Sequence, residues 1–149
     1  MGLLDTLKKA LGREPDARPV TEPRENAARR VVEPEEEPRV PEVTAQELMA
    51  EMNAAADGQR VLLDCREGYE RSQAYIPDSL HIPMNSIPMR LGELDRAKDI
   101  VVYCAHGNRS YGVAGWLNQQ GFNARSLKGG IVDWQLRGGK VESPLRKNA

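Results

Sequence analysis

Residues 100–110 read Ile100-Val101-Val102-Tyr103-Cys104-Ala105-His106-Gly107-Asn108-Arg109-Ser110, and this stretch decides the fold. Its first four side chains are β-branched or aromatic, too few for a helix and apolar enough for a strand covered on both faces. A short loop with one glycine follows. Residues 110–120 then carry Val113, Ala114, Trp116 and Leu117 at helical spacing, with Gly121 placed at the C-terminal cap. The alternation extends in both directions. Upstream, Thr44-Ala45-Gln46-Glu47 is a capping box that opens a helix to about Asn53, with Leu48, Met49 and Met52 on its apolar side. Asp57-Gly58 turns the chain into the apolar run Val61-Leu62-Leu63-Asp64. A short helix is predicted over residues 67–73, a brief strand over 79–82 ended by Pro83, and a helical stretch over 87–94. Downstream come a strand over 123–127, the pair Gly129-Gly130 and a last short helix through Trp134. Strands alternating with helices specify an α/β fold with a mainly parallel sheet.

The first forty residues have a different texture. Leu3, Leu4, Leu7 and Leu11 fall on one side of a short leader helix over residues 1–12, with Gly12 as its stop. Two readings stay open: a segment that docks on a protein partner or a membrane surface, or a frayed amphipathic leader too short to hold alone in water. Residues 13–41 hold Pro15, Pro19, Pro23, Pro34, Pro38 and Pro41 among charged side chains. Proline removes backbone donors, and the charged residues bury little apolar area, so this stretch is expected to be an extended, disordered linker. The folded domain is expected over 42–142, with a tail over 143–149.

The chain has 21 basic and 22 acidic side chains, a formal charge of −1. It therefore has no basic excess for nucleic-acid binding through phosphate neutralisation. No apolar run approaches the roughly 20 residues of a membrane-spanning helix, and Asp5, Lys8 and Lys9 interrupt the start too early for a secretory signal. A cytoplasmic location is the expectation. Two cysteines and two histidines (Cys65, Cys104, His81, His106) make neither a disulfide framework nor a metal site of the usual spacing. No metal and no cofactor is expected.

In parallel α/β sheets, sites gather where strands end at their C-termini, and Cys104 stands at such an end. The N–H groups of the following loop are able to turn inward as an anion cradle, helped by Gly107 and by the helix start near Ser110. Arg109 adds a permanent charge. Each of these favours thiolate over thiol. On spacing alone, a small buried side chain that merely packs remains as good a reading.

The wider pattern adds to this. Leu62-Leu63-Asp64-Cys65-Arg66-Glu67, then Tyr75-Ile76-Pro77-Asp78-Ser79-Leu80-His81-Ile82-Pro83, then residues 102–110, and finally Gly121-Phe122 through Leu127-Lys128-Gly129-Gly130 to Trp134 resemble the rhodanese family in order and spacing over about residues 42–140. The resemblance implies a five-stranded parallel sheet flanked by helices. It implies sulfurtransferase chemistry, in which Cys104 takes a sulfane sulfur from thiosulfate or a persulfide. The sulfur is held as a persulfide and passed to cyanide or a thiol. Ala105, His106, Gly107, Asn108, Arg109 and Ser110 would surround the substrate, with Arg109 attracting an anionic donor and His106 adjusting access. Asp64 would buttress the loop, paired with Arg66, and His81 is taken as structural. Cys65 falls with Val61 and Leu63, opposite Asp64, and reads as packing rather than as a resolving thiol. Phosphatases and arsenate reductases on the same fold place the arginine one residue further on. The other alternative is a binding or regulatory module with weak catalysis.

Overall fold

The computed structural model describes residue 34 and residues 39–54 and 58–144. The leader over 1–12, the linker up to residue 38 apart from Pro34, and residues 145–149 of the tail lie outside the described residues. Every element below falls in the unit Pro38–Ala149.

Strand β4 (Asp99–Tyr103) forms the middle of a five-stranded sheet. On one side it pairs with β2 (Arg60–Asp64), which pairs in turn with β3 (Leu80–His81). On the other side it pairs with β5 (Asn123–Leu127), and β5 with β1 (Glu42–Val43). Every pairing is parallel. Central parallel strands must be covered twice, which is why residues 100–103 read as an unbroken apolar run and are all buried. Period-two alternation divides them. Ile100, Val102 and Cys104 face a core with Leu63, Cys65, Ile87 and Leu117; Val101 and Tyr103 face another with Leu62, Leu48, Ile131 and Trp134. Helix α3 (Asn108–Gln119) covers the first face, while α1 (Ala45–Ala54) and α4 (Gly130–Leu136) cover the second.

The helix ends show why the sequence stops where it does. Glu47 N–H donates to Thr44 Oγ1 and Thr44 N–H to Glu47 Oε2, both at 3.1 Å, so the capping box at α1 is formed. At the other end of α3, Gly121 takes φ +88. Its N–H reaches the Asn118 carbonyl, and the Phe122 N–H reaches that of Leu117, a Schellman cap.

Four features differ from the sequence expectation. Strand β1 is unforeseen, because two residues carry no periodicity. The helical stretch expected over 87–94 runs over residues 84–93 and is made of 3₁₀ turns, since Pro88 inside the segment lacks an N–H and clashes with the preceding turn. Helix α3 begins at Asn108, two residues early, because Gly107 at φ +98 turns the chain sooner. Trp116 is half-buried: the buried stripe runs Ser110, Val113, Ala114, Leu117, and Trp116 lies at its margin.

Candidate active site

Cys104 follows β4 directly, so the strand delivers its sulfur to the C-terminal edge of the sheet. The Gly107 N–H donates to that sulfur at 3.1 Å and the Ser110 N–H at 3.4 Å. Ser110 Oγ also lies 3.4 Å from it and is 2.7 Å from Ser126 Oγ on β5. Cys104 is 1 % exposed, with the two amides aimed at its sulfur. Its pKa is lowered from 9.0 to about 4, first by hydrogen bonding with the neighbouring Cys65 thiol. Burial opposes the shift, while the Ser110 hydroxyl, the Ser110 N–H and the Gly107 N–H add to it. Thiolate is the resident form at neutral pH.

The loop turns its amides inward because its carbonyls are occupied elsewhere. Ile131 N–H donates to the Cys104 carbonyl at 2.9 Å and Val132 N–H to that of Ala105 at 3.1 Å, both from the first turn of α4. That close approach requires glycine. Gly130 has φ +62, and a Cβ there would fall 2.3 Å from the Ala105 carbonyl oxygen. The Gly129-Gly130 pair therefore shapes a loop 25 residues upstream, a role that its place in the sequence does not reveal.

Asp64 and Arg66 form a buried ion pair. Arg66 Nε donates to Asp64 Oδ1 and its Nη2 to Oδ2, each at 2.9 Å, and the Arg66 N–H adds a bond of 3.0 Å. Arg71 Nη1 donates to the same carboxylate at 3.2 Å, and the Tyr103 hydroxyl at 3.1 Å. Burial would raise the Asp64 pKa, but the Arg66 hydrogen bonds and charge, with Tyr103, hold it below its ordinary value. Burial first, and then the Asp64 charge, push Tyr103 up to about 12. Asp64 thus buttresses Tyr103, the residue before Cys104, and its described partners do not include the loop 105–110. Arg71 was not anticipated as a member of this network. His81 Nε2 lies 2.7 Å from the Arg66 carbonyl, a structural position.

Ala105 is half-buried, while His106 and Asn108 are exposed. Arg109 is committed to a partner the sequence did not indicate. Its Nη1 and Nη2 donate to Glu70 Oε2 and Oε1 at 2.8 and 2.7 Å, a bidentate fork. Glu70 also accepts the Glu67 N–H at 2.9 Å, closing a second capping box at α2 (Gly68–Arg71). Arg109 hydrogen bonding is the main reason the Glu70 pKa sits at about 2. A groove of about 500 Å³ opens alongside, lined among others by Tyr69, Glu70, Ala105, Ile131 and Val132. Cys65 is fully buried in the core that holds Cys104, its N–H on the Tyr103 carbonyl at 3.1 Å and its S–H 3.4 Å from the same oxygen. Its contact with Cys104, and then burial, push its own pKa up.

A family model described as rhodanese-like domain matches residues 44–137. A protein named sulfurtransferase from Allochromatium vinosum is 42% identical over 91 residues, covering 60% of this chain and 85% of that protein. A thiosulfate sulfurtransferase, GlpE, of Pseudomonas savastanoi is 38% identical over 76 residues, covering 50% and 72%. Among solved structures, a rhodanese-related protein from Thermoplasma volcanium has a TM-score of 0.62 at 31% identity, covering 68% of this chain and 97% of that one. Because the family model spans well over half of the chain, the chain belongs to the rhodanese-like domain family.

Proposed function

We propose that the protein is a sulfurtransferase that carries a sulfane sulfur on Cys104. The observation that carries this reading is the ring around the sulfur: two backbone N–H groups and the Ser110 hydroxyl converge on it. Such a ring stabilises one negative charge before transfer and the charge of a terminal persulfide sulfur after it. The relatives named as sulfurtransferases support the same reaction class.

The chemistry runs in two displacements. The Cys104 thiolate attacks the outer sulfur of the donor, thiosulfate or a persulfide. The donor's S–S bond breaks, sulfite or a thiolate leaves with the bonding pair, and Cys104–S–S⁻ remains. An acceptor thiolate or cyanide then attacks that outer sulfur and releases the Cys104 thiolate. Because the thiolate is resident, no general base is needed for the first attack. The Ala105 side of the groove is the approach this reading uses.

Mass spectrometry after thiosulfate or persulfide treatment tests the proposal. A gain of about 32 Da on the peptide holding Cys104 is expected, lost on adding cyanide or a thiol. Cys104→Ser should show neither the gain nor any turnover. If the wild type fails to acquire sulfur from every donor, a binding module becomes the better reading.

A further inference from the structure

The guanidiniums around the Cys104 loop are matched by negative charge. Arg66 and Arg71 both bind the buried Asp64 carboxylate, and Arg109 is forked on Glu70. Set against Asp64, Glu70 and the Cys104 thiolate, these three cations leave no net positive charge. The adjacent groove repeats the pattern. Arg66 and Glu70 are its charged lining residues, each already paired, and the rest of its wall is uncharged, with Ile131, Val132 and Val141 beside the polar Gln73, Gln135 and Ser143.

Thiosulfate is a compact dianion, and drawing it from water calls for uncompensated cationic charge. A persulfide, R–S–SH, brings at most one negative charge to the reacting sulfur and an organic body for a wall without unpaired charge. Arg109 is the group that could attract a dianion, and Glu70 accepts from both of its terminal nitrogens and balances its charge. Glu70 is itself held in place by the Glu67 N–H, so the carboxylate is not a loose counter-ion that a donor displaces readily.

We propose that Glu70 is the specificity-determining residue for the sulfur donor, restraining the Arg109 guanidinium so that the site accepts persulfides of small organic thiols over thiosulfate. The proposal rests on the sulfur-transfer reading above. In the favoured step the Cys104 thiolate attacks the outer sulfur of R–S–SH. The donor S–S bond breaks, R–S⁻ departs with the electron pair, and Cys104–S–SH forms with no outside oxidant or reductant.

The test uses the full chain and Glu70→Gln. Glutamine keeps one oxygen, which in the place of Oε2 still accepts from the Glu67 N–H and Arg109 Nη1, and puts an NH2 group in the place of Oε1, so the charge and one arm of the fork are removed. With wild type, kcat/KM for loading Cys104 from cysteine persulfide should exceed that from thiosulfate by about tenfold or more. Glu70→Gln should raise the thiosulfate value relative to the persulfide value by about three- to tenfold, the size expected for one partly screened charge near the donor. A second readout does not depend on sulfur transfer. The ratio of Cys104 alkylation by anionic iodoacetate to that by neutral iodoacetamide should rise by about threefold or more in Glu70→Gln. A folded Glu70→Gln with both the alkylation ratio and the thiosulfate-to-persulfide ratio unchanged overturns this proposal alone. A wild type that loads more readily from thiosulfate also overturns it, without recourse to any variant. Failure of Cys104 to load from either donor overturns the sulfur-transfer reading, and the donor assignment with it.

Discussion

Cys104 and Cys65 are chemically the same side chain at adjacent strand ends, yet their environments drive them in opposite directions. Cys104 meets two amides and a hydroxyl and is held at about 4; Cys65 is fully buried, with its S–H near one backbone carbonyl. Because the folded pKa of Cys104 lies below its ordinary 9.0, its thiolate contributes stability in full above the ordinary value. That contribution is lost as pH falls through about 4. Its alkylation by iodoacetamide is therefore expected to stay nearly flat between about pH 6 and pH 9, where an ordinary thiol would climb steeply. A rate still rising through pH 8 would mean that the amide ring does not hold a thiolate. Cys65 supplies the leading part of this effect, so Cys65→Val should move the alkylation midpoint upward by about one unit or more. Cys65→Ser, which keeps a donor, should move it less. The sequence placed Cys65 on the correct face but assigned it to packing alone. Alternation shows which residues share a face, not that the neighbouring strand brings a second thiol to the same level.

At the scale of elements, the active loop is shaped as much by α4 as by the strand that precedes it. The first turn of α4 receives the Cys104 and Ala105 carbonyls, which leaves the opposite edges of the loop to donate to sulfur. Gly130→Ala places a methyl group against the Ala105 carbonyl in a left-handed backbone position. It should cost roughly 2–4 kcal/mol of stability, and more in activity than in stability, because relief of the clash moves the loop. Chemical denaturation together with the rate of Cys104 persulfide formation measures the two effects. A variant with wild-type sulfur loading would show that α4 does not set the loop. The alternation of strands and helices was legible because apolar runs such as residues 100–103 have no other home than a covered sheet. The loop chemistry was legible because a cysteine, a glycine and a helix start stand in one short segment. The Glu70–Arg109 fork was not, since the choice of a partner 39 residues away depends on how α2 packs against the loop. The 3₁₀ turns over residues 84–93 also escaped, although Pro88 was a visible reason to doubt a regular helix.

Over the whole molecule, the sheet order β1-β5-β4-β2-β3 links the site to an edge strand remote from it in sequence. Strand β1 has only two residues, but the Val43 side chain is 1 % exposed and its carbonyl accepts the Lys128 N–H at 2.9 Å. Lys128 immediately precedes Gly129-Gly130, so docking of β1 fixes the point from which the chain enters α4 and, through it, the Cys104 loop. On the near side of β1, the Pro41 carbonyl accepts the Ser126 N–H at 2.9 Å, and Ser126 Oγ supports Ser110 beneath the sulfur. The edge strand thus braces two of the parts that hold the thiolate. Val43→Ala removes apolar contact there without adding charge or altering the site, and should cost about 1–3 kcal/mol of global stability. If β1 braces the loop, the loss will not be uniform. Hydrogen exchange at the Lys128 and Ser126 amides should accelerate more than at the β2–β4 ladder amides, because edge undocking opens locally before the sheet unfolds. Sulfur loading should slow with it at temperatures where the protein is still folded. Equal acceleration across the sheet, with loading unchanged, would mean that β1 contributes stability only and that the active loop is held by α4 without it.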